Sequence, residues 1–166
     1  NTSLLEELTE NTVTGGTMMV NHCLAKQWKQ CYDDLIMHDW YLALLAASLG
    51  KLIYLDETTE LYRQHESNVL GARTWSKRLK NWLRPHRLVK KYWWLVTSSQ
   101  QQASHLLELD LPAANKAIIQ AYVTLLDQSF LNRIKWLKQY GFAKNRAFHT
   151  FVFKTLIITK FGYRRK

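Results

Sequence analysis

The chain of 166 residues has no run of eighteen uncharged apolar residues, so no segment of it has the length and apolarity of a membrane-crossing helix. Its start lacks the cationic, apolar and small-residue succession of a secretory signal. Cysteine is scarce: Cys23 and Cys31 sit eight apart around a predicted helix containing Leu24 and Trp28. That spacing is neither a zinc pattern nor a disulfide framework, and packed thiols in a reducing cytoplasm are the expectation. Internal repeats, low-complexity tracts and recognisable nucleic-acid motifs are also missing. What is present is a 47% hydrophobic composition, enough to bury the core of one domain or one and a half.

The most informative residues are His38-Asp39-Trp40-Tyr41, followed at short range by Tyr62-Arg63-Gln64-His65. Apolar spacing through Leu42, Leu45, Ala46 and Leu49 predicts a helix from Asp39 that stops at Gly50. Lys51 to Asp56 then reads as a buried strand and Thr59 to His65 as a second. Asp39 falls at the helix N-terminus, where free backbone N–H groups and the helix dipole favour a carboxylate. Such a residue serves either as a plain helix cap or as a fixed general base. Taken singly, His38 and His65 fit surface or core positions, and Arg63 fits an ion pair.

Together with Thr14-Gly15-Gly16-Thr17-Met18-Met19 upstream and Asn68-Val69-Leu70-Gly71 downstream, these segments resemble the family-two glycosyltransferases of bacterial surface-polysaccharide assembly, most closely the rhamnosyltransferase-like branch. In that branch a Thr-Gly-Cys/Gly-Thr segment precedes a His-Asp-Trp-Trp helix start and a Tyr-Arg-Gln-His-x-x-Asn strand end. The order and approximate spacing match here over residues 11 to about 75, with Tyr41 in place of the second Trp.

The resemblance implies the acceptor-side half of a GT-A sheet over residues 1–71, within an α+β, mostly α chain that continues as a helical region over 72–166. It implies inverting transfer of a sugar, rhamnose in that branch, from a nucleotide-sugar donor to a glycan or polyprenyl-diphosphate-linked acceptor. Asp39 matches the base that takes the acceptor hydroxyl's proton. Arg63, Gln64 and His65 match the vicinity of the donor diphosphate, where a divalent metal (Mg or Mn) or a guanidinium offsets developing charge. For His65, metal ligation, hydrogen bonding to diphosphate and packing all stay open. Gly15, Gly16, His38 and Trp40 match the acceptor side, although a tight turn accounts for the two glycines as well. The branch's Asp-x-Asp metal motif does not occur in these residues, and the chain starts at Asn1. The expectation is a C-terminal part of a longer enzyme, inactive alone.

Charge divides the chain. Residues 1–65 carry nine acids against four Lys/Arg, a net of −5, whereas residues 66–166 carry four acids against nineteen, a net of +15. The basic part reads as helices: Ala72 to Leu83, with Trp75, Leu79 and Trp82 on one face and Lys77 and Lys80 on another, ended by Pro85; a second from about Arg87 with Lys90, Lys91, Trp93 and Trp94; and a long third. Pro112 opens that third helix, which carries Ile119, Val123, Leu126, Phe130, Ile134 and Leu137 in a heptad-like stripe up to Gly141. Phe148 to Phe161 is apolar nearly all round and suits helix or strand.

Three readings fit the basic part. One is a solvated helical surface. Another is nucleic-acid binding, which the acidic front opposes, so no nucleic acid is expected as a partner. The third is peripheral attachment to an anionic membrane surface through Trp75, Lys77, Lys80, Trp82, Lys90, Lys91, Trp93 and Trp94, since aromatic rings beside cations suit that interface. With the resemblance, that gives a cytoplasmic protein peripheral on the inner face of the bacterial cell membrane; the alternative is a non-catalytic helical module that binds membrane or protein.

Overall fold

The structure, a computed structural model, describes residues 3–28, 34–58 and 85–164. It is mostly helical (66%). The seven helices described are α1 (Leu4–Thr9), α2 (His22–Gln27), α3 (His38–Leu49), α4 (Pro85–Leu106), α5 (Ala113–Val123), α6 (Phe130–Tyr140) and α7 (Ala147–Thr159). Short 3-10 turns occupy Gly15–Thr17 and Leu125–Asp127.

The expected GT-A sheet half is therefore corrected. Among the described residues strand character is confined to a lone bridge residue at Leu52. The segment Lys51 to Asp56, expected as a buried strand, has no regular structure beyond that bridge residue, and Ile53, Tyr54 and Leu55 are all exposed. A strand needs a paired ladder to satisfy its backbone, and among the described residues nothing pairs with this one. The second expected strand and the Ala72 to Leu83 helix lie outside the described residues.

Helix α3 is the centre of the assembly. Residues 40–46 are buried without interruption, as expected of a helix apolar on every side. Its N-cap is Met37 and its first residue His38, one before the predicted start at Asp39, and Gly50 closes it by donating its N–H to Ala46 O at 2.9 Å. Helices α1 and α4 pack against α3, and α5 packs on both α1 and α4. Leu8, Trp40, Leu44, Leu45, Ala103 and Tyr122 meet in one core with Phe142 and Ile157. Ser3 and Glu6 form a reciprocal cap on α1, the Ser3 hydroxyl accepting from the Glu6 N–H and the Glu6 carboxylate accepting from the Ser3 N–H.

The long third helix predicted from Pro112 to Gly141 is two helices. It breaks at Thr124, passes through a 3-10 turn, and restarts with Ser129 accepting from the Asn132 N–H. The stripe splits with it, Ile119, Leu126 and Leu137 being buried while Phe130 and Ile134 are exposed. Gly141, with φ 76, ends α6 in the left-handed region that glycine enters without strain. The segment after it, open between helix and strand in sequence, is helix α7. No described helix is long and apolar enough to cross a membrane.

Candidate functional site

The start of α3 carries His38 and Asp39 to the surface while Trp40 turns inward. Trp40 is 2% exposed and its indole N–H donates to Glu7 O at 2.7 Å, so this ring anchors α3 on α1 and presents nothing to an acceptor. Asp39 is half-buried in the first turn of α3, and its Oδ1 accepts from the Trp40 N–H at 2.7 Å. The Gly15–Thr17 turn lies directly against this helix start. A Cβ on Gly15 would stand 3.0 Å from His38 Nε2 and 3.7 Å from Asp39 Cβ. Two motif segments more than twenty positions apart in sequence are thus brought into contact by the fold, and Gly16 beside them is exposed. Arg63, Gln64 and His65 lie outside the described residues. Among the described residues no group of three or more His, Cys, Asp and Glu comes together to hold a metal ion.

The approach to this helix start is held by α4, through Gln101, Gln102 and His105, none of which stood out in the sequence. Gln102, fully buried, accepts from the Met37 N–H at 2.9 Å through Oε1. Gln101 Nε2 donates to Asp34 Oδ2 at 2.8 Å, and His105 Nε2 lies 3.0 Å from Asp34 Oδ1. The Gln101 hydrogen bond holds the Asp34 carboxyl below its ordinary 3.8, with the charge on His105 acting the same way. Residues 34–37 therefore enter α3 along a fixed path.

A second group missed in sequence is Glu7, fully buried on α1. Its Oε1 accepts from the Thr12 hydroxyl and its Oε2 from the Thr12 N–H at 3.4 Å, which ties α1 to the strand of chain leading into the Gly15–Thr17 turn. Burial pushes the Glu7 carboxyl above its ordinary 4.5, against the opposing pull of the Thr12 hydrogen bonds. No sequence signal marks this residue, because burial of a carboxylate is decided by packing. Lys144 is its basic counterpart across α1: its Nζ donates to Thr9 O, and burial lowers its pKa from 10.5 while Glu10 opposes that shift.

Of the expected membrane-surface residues, Trp75, Lys77, Lys80 and Trp82 lie outside the described residues. Trp93 faces inward, its indole N–H donating to Phe161 O at 2.9 Å, so that expectation is corrected: α4 turns this ring onto the chain that follows α7. Lys91 is half-buried, whereas Lys90 and Trp94 are exposed. Cys23 is a free, exposed thiol and not a packed one; Cys31 lies outside the described residues.

Comparison with protein-family models, with curated proteins and with solved structures finds no match for this chain.

Proposed function

We propose that the chain is part of an inverting glycosyltransferase and that the surface formed by the Gly15–Thr17 turn and the start of α3 is its acceptor side. The observation that supports this most is the contact of Gly15 with His38 and Asp39. Two segments that the motif pattern assigns to one acceptor site meet, and a side chain on Gly15 would intrude on that meeting. In this reading Asp39 takes the proton from the acceptor hydroxyl as its oxygen bonds to the anomeric carbon; the bond from that carbon to the nucleoside diphosphate breaks, and the diphosphate leaves with the electron pair. His38, exposed next to Asp39, is placed to hydrogen-bond the acceptor.

The donor, with any divalent metal that accompanies it, is bound in this reading by parts of the protein other than the described residues. The acceptor is a glycan or a polyprenyl-diphosphate-linked glycan, with rhamnose as the sugar in the resembling branch and a cytoplasmic location. The helical architecture favours a second reading, a non-catalytic helical interaction module.

One pair of measurements separates the two. Titration of the isotope-labelled chain with oligosaccharide acceptors should move the amides of Gly15 and Gly16 and the ring of His38. In protein that turns over a nucleotide sugar, Asp39→Asn should lower transfer by about two to four orders of magnitude, the usual contribution of a general base, with donor affinity little changed. Near-normal turnover by that variant excludes the base; unmoved amides exclude the acceptor site and leave the interaction module.

A further inference from the structure

Residues 128–166 contain ten Lys/Arg and no Asp or Glu. The fold gathers three pieces of the basic part at one end of the molecule. The guanidinium of Arg133, on the first turn of α6, donates to Ile158 O through Nη2 at 2.8 Å and Nε at 3.2 Å, and to Gln128 O through Nη1 at 2.6 Å. That joins the start of α6 to the end of α7. Trp93 on α4 donates to Phe161 O, and the Tyr163 ring lies 4.8 Å from the Trp93 ring. Gly162 passes so close to α4 that a Cβ there would stand 2.8 Å from Val89 Cγ1. The chain after α7 is therefore laid along the early part of α4, immediately beside the helix face that carries Lys90 and Trp94, four residues apart and both exposed.

This end presents large apolar side chains to solvent. Leu131 is 74% and Phe161 69% exposed, with Phe130 and Trp94 also out. The same pieces of chain carry exposed Lys90, half-buried Lys160 and exposed Arg164. The acid that acts on this part of α4, Glu10, reaches it from Tyr92, on the other side of the helix from Trp94. Exposed rings and an exposed Leu amid cations, with no acid in the segment, match a layered surface that is anionic outside and apolar beneath.

We propose that this end of the molecule, made by the early part of α4, the start of α6 and the exit from α7, docks on an anionic lipid surface. Trp94, Phe130, Leu131 and Phe161 enter the headgroup layer, and Lys90, Lys160 and Arg164 engage lipid phosphates. Leu131 and Ile134 argue for lipid over nucleic acid, which stacks on rings and pairs with cations but has no use for aliphatic side chains. The proposal stands on charge and exposure and is independent of sugar transfer.

The test is co-sedimentation of the 166-residue chain with phosphatidylglycerol-rich vesicles and with pure phosphatidylcholine vesicles, at low and at physiological salt. Binding to the anionic vesicles alone is expected. Lys90→Gln and Arg164→Gln should each weaken it about fivefold, which is the ~1 kcal/mol of a surface cation expressed as a ratio. Leu131→Ser with Phe161→Ser should remove the part that survives physiological salt, while Phe148→Ser, at the far end of α7, leaves binding unchanged. Circular dichroism establishes that each variant is folded. Equal binding to both vesicle types, no binding at low salt, equal loss in Phe148→Ser, or displacement from vesicles by an oligonucleotide would each overturn the proposal.

Discussion

Helices α3 and α7 are close in length and both apolar on nearly every side, yet the fold treats them differently. In α3 residues 40–46 are all buried, whereas α7 buries only Phe153, Leu156 and Ile157 and turns Phe148 and Phe151 outward. The difference comes from neighbours. Helix α3 is flanked by α1 and α4, while α7 has α6 on one side and its outer face is open among the described residues. Apolarity in a sequence therefore states what a helix could bury; the topology decides how much of it is buried.

Truncation would break this comparison most directly. Leu44 and Leu45 are fully buried, so Leu44→Ala should destabilise the chain by about 2–5 kcal/mol, the transfer and cavity cost of a core leucine. Phe151→Ala, at 68% exposure, should change stability by no more than about 0.5 kcal/mol. Urea unfolding of the two variants measures both, and comparable losses would mean that α7 is enclosed after all.

Next in size is the anchor that makes α7 a one-sided helix. Arg133, buried on α6, donates to Ile158 O and Gln128 O, carbonyls at the exit of α7 and just before α6. Arg133→Met keeps the stem and removes every donor. It should cost about 1–3 kcal/mol, because the two carbonyls lose their partner. Amide exchange should quicken over 159–163 and stay slow in α3. Equal quickening in α3 would make the two helices one cooperative unit.

How far the sequence disclosed all this differs from element to element. Helix α3, its stop at Gly50 and the left-handed close of α6 at Gly141 followed from local chemistry, since an apolar period and a terminal glycine act within a few residues. Lys51 to Asp56 had the composition of a strand, but a strand exists only by pairing, and a partner is not a local property. The break between α5 and α6 carried a sign in Ser129, whose hydroxyl caps the next helix; the apolar stripe running through it hid that sign. At the candidate site the residue types and their order were legible. The contact of Gly15 with His38, the inward turn of Trp40 and the grip of Gln102 on Met37 were not, because each depends on which helices pack together.

A subtler difference between the two halves is their response to pH. The front half buries an acid, Glu7, whose folded-state pKa lies above 4.5, so the folded chain holds that proton more tightly than the unfolded one. The contribution to stability is complete below 4.5 and is lost as pH rises through the raised value. Lys144 runs the other way round a lowered pKa, adding stability as pH climbs toward 10.5. Glu7→Gln should keep an acceptor for Thr12, flatten the acid-side dependence, and leave the alkaline side as it was. Thermal unfolding across pH reads the result, and an unchanged acid-side slope would take Glu7 out of the account.

The smallest expected effect bears on the candidate site itself. Gly15 has an ordinary backbone conformation, and the nearest atom to a new Cβ there is His38 Nε2, at 3.0 Å, on an exposed ring free to rotate away. Gly15→Ala should therefore shift stability by about 0.5 kcal/mol or less, as surface changes do, while the His38 ring moves. In nuclear magnetic resonance the ring protons of His38 should shift and those of His86, on α4, should not. Asp39 is the sharper discriminator, because its Cβ lies only 3.7 Å from the same point and α3 holds it in place. If its signals shift together with those of His38, the turn and the helix start behave as one surface on which an acceptor could rest. If neither residue responds, Gly15 does not touch the start of α3 in solution, and the observation on which the acceptor site stands is gone.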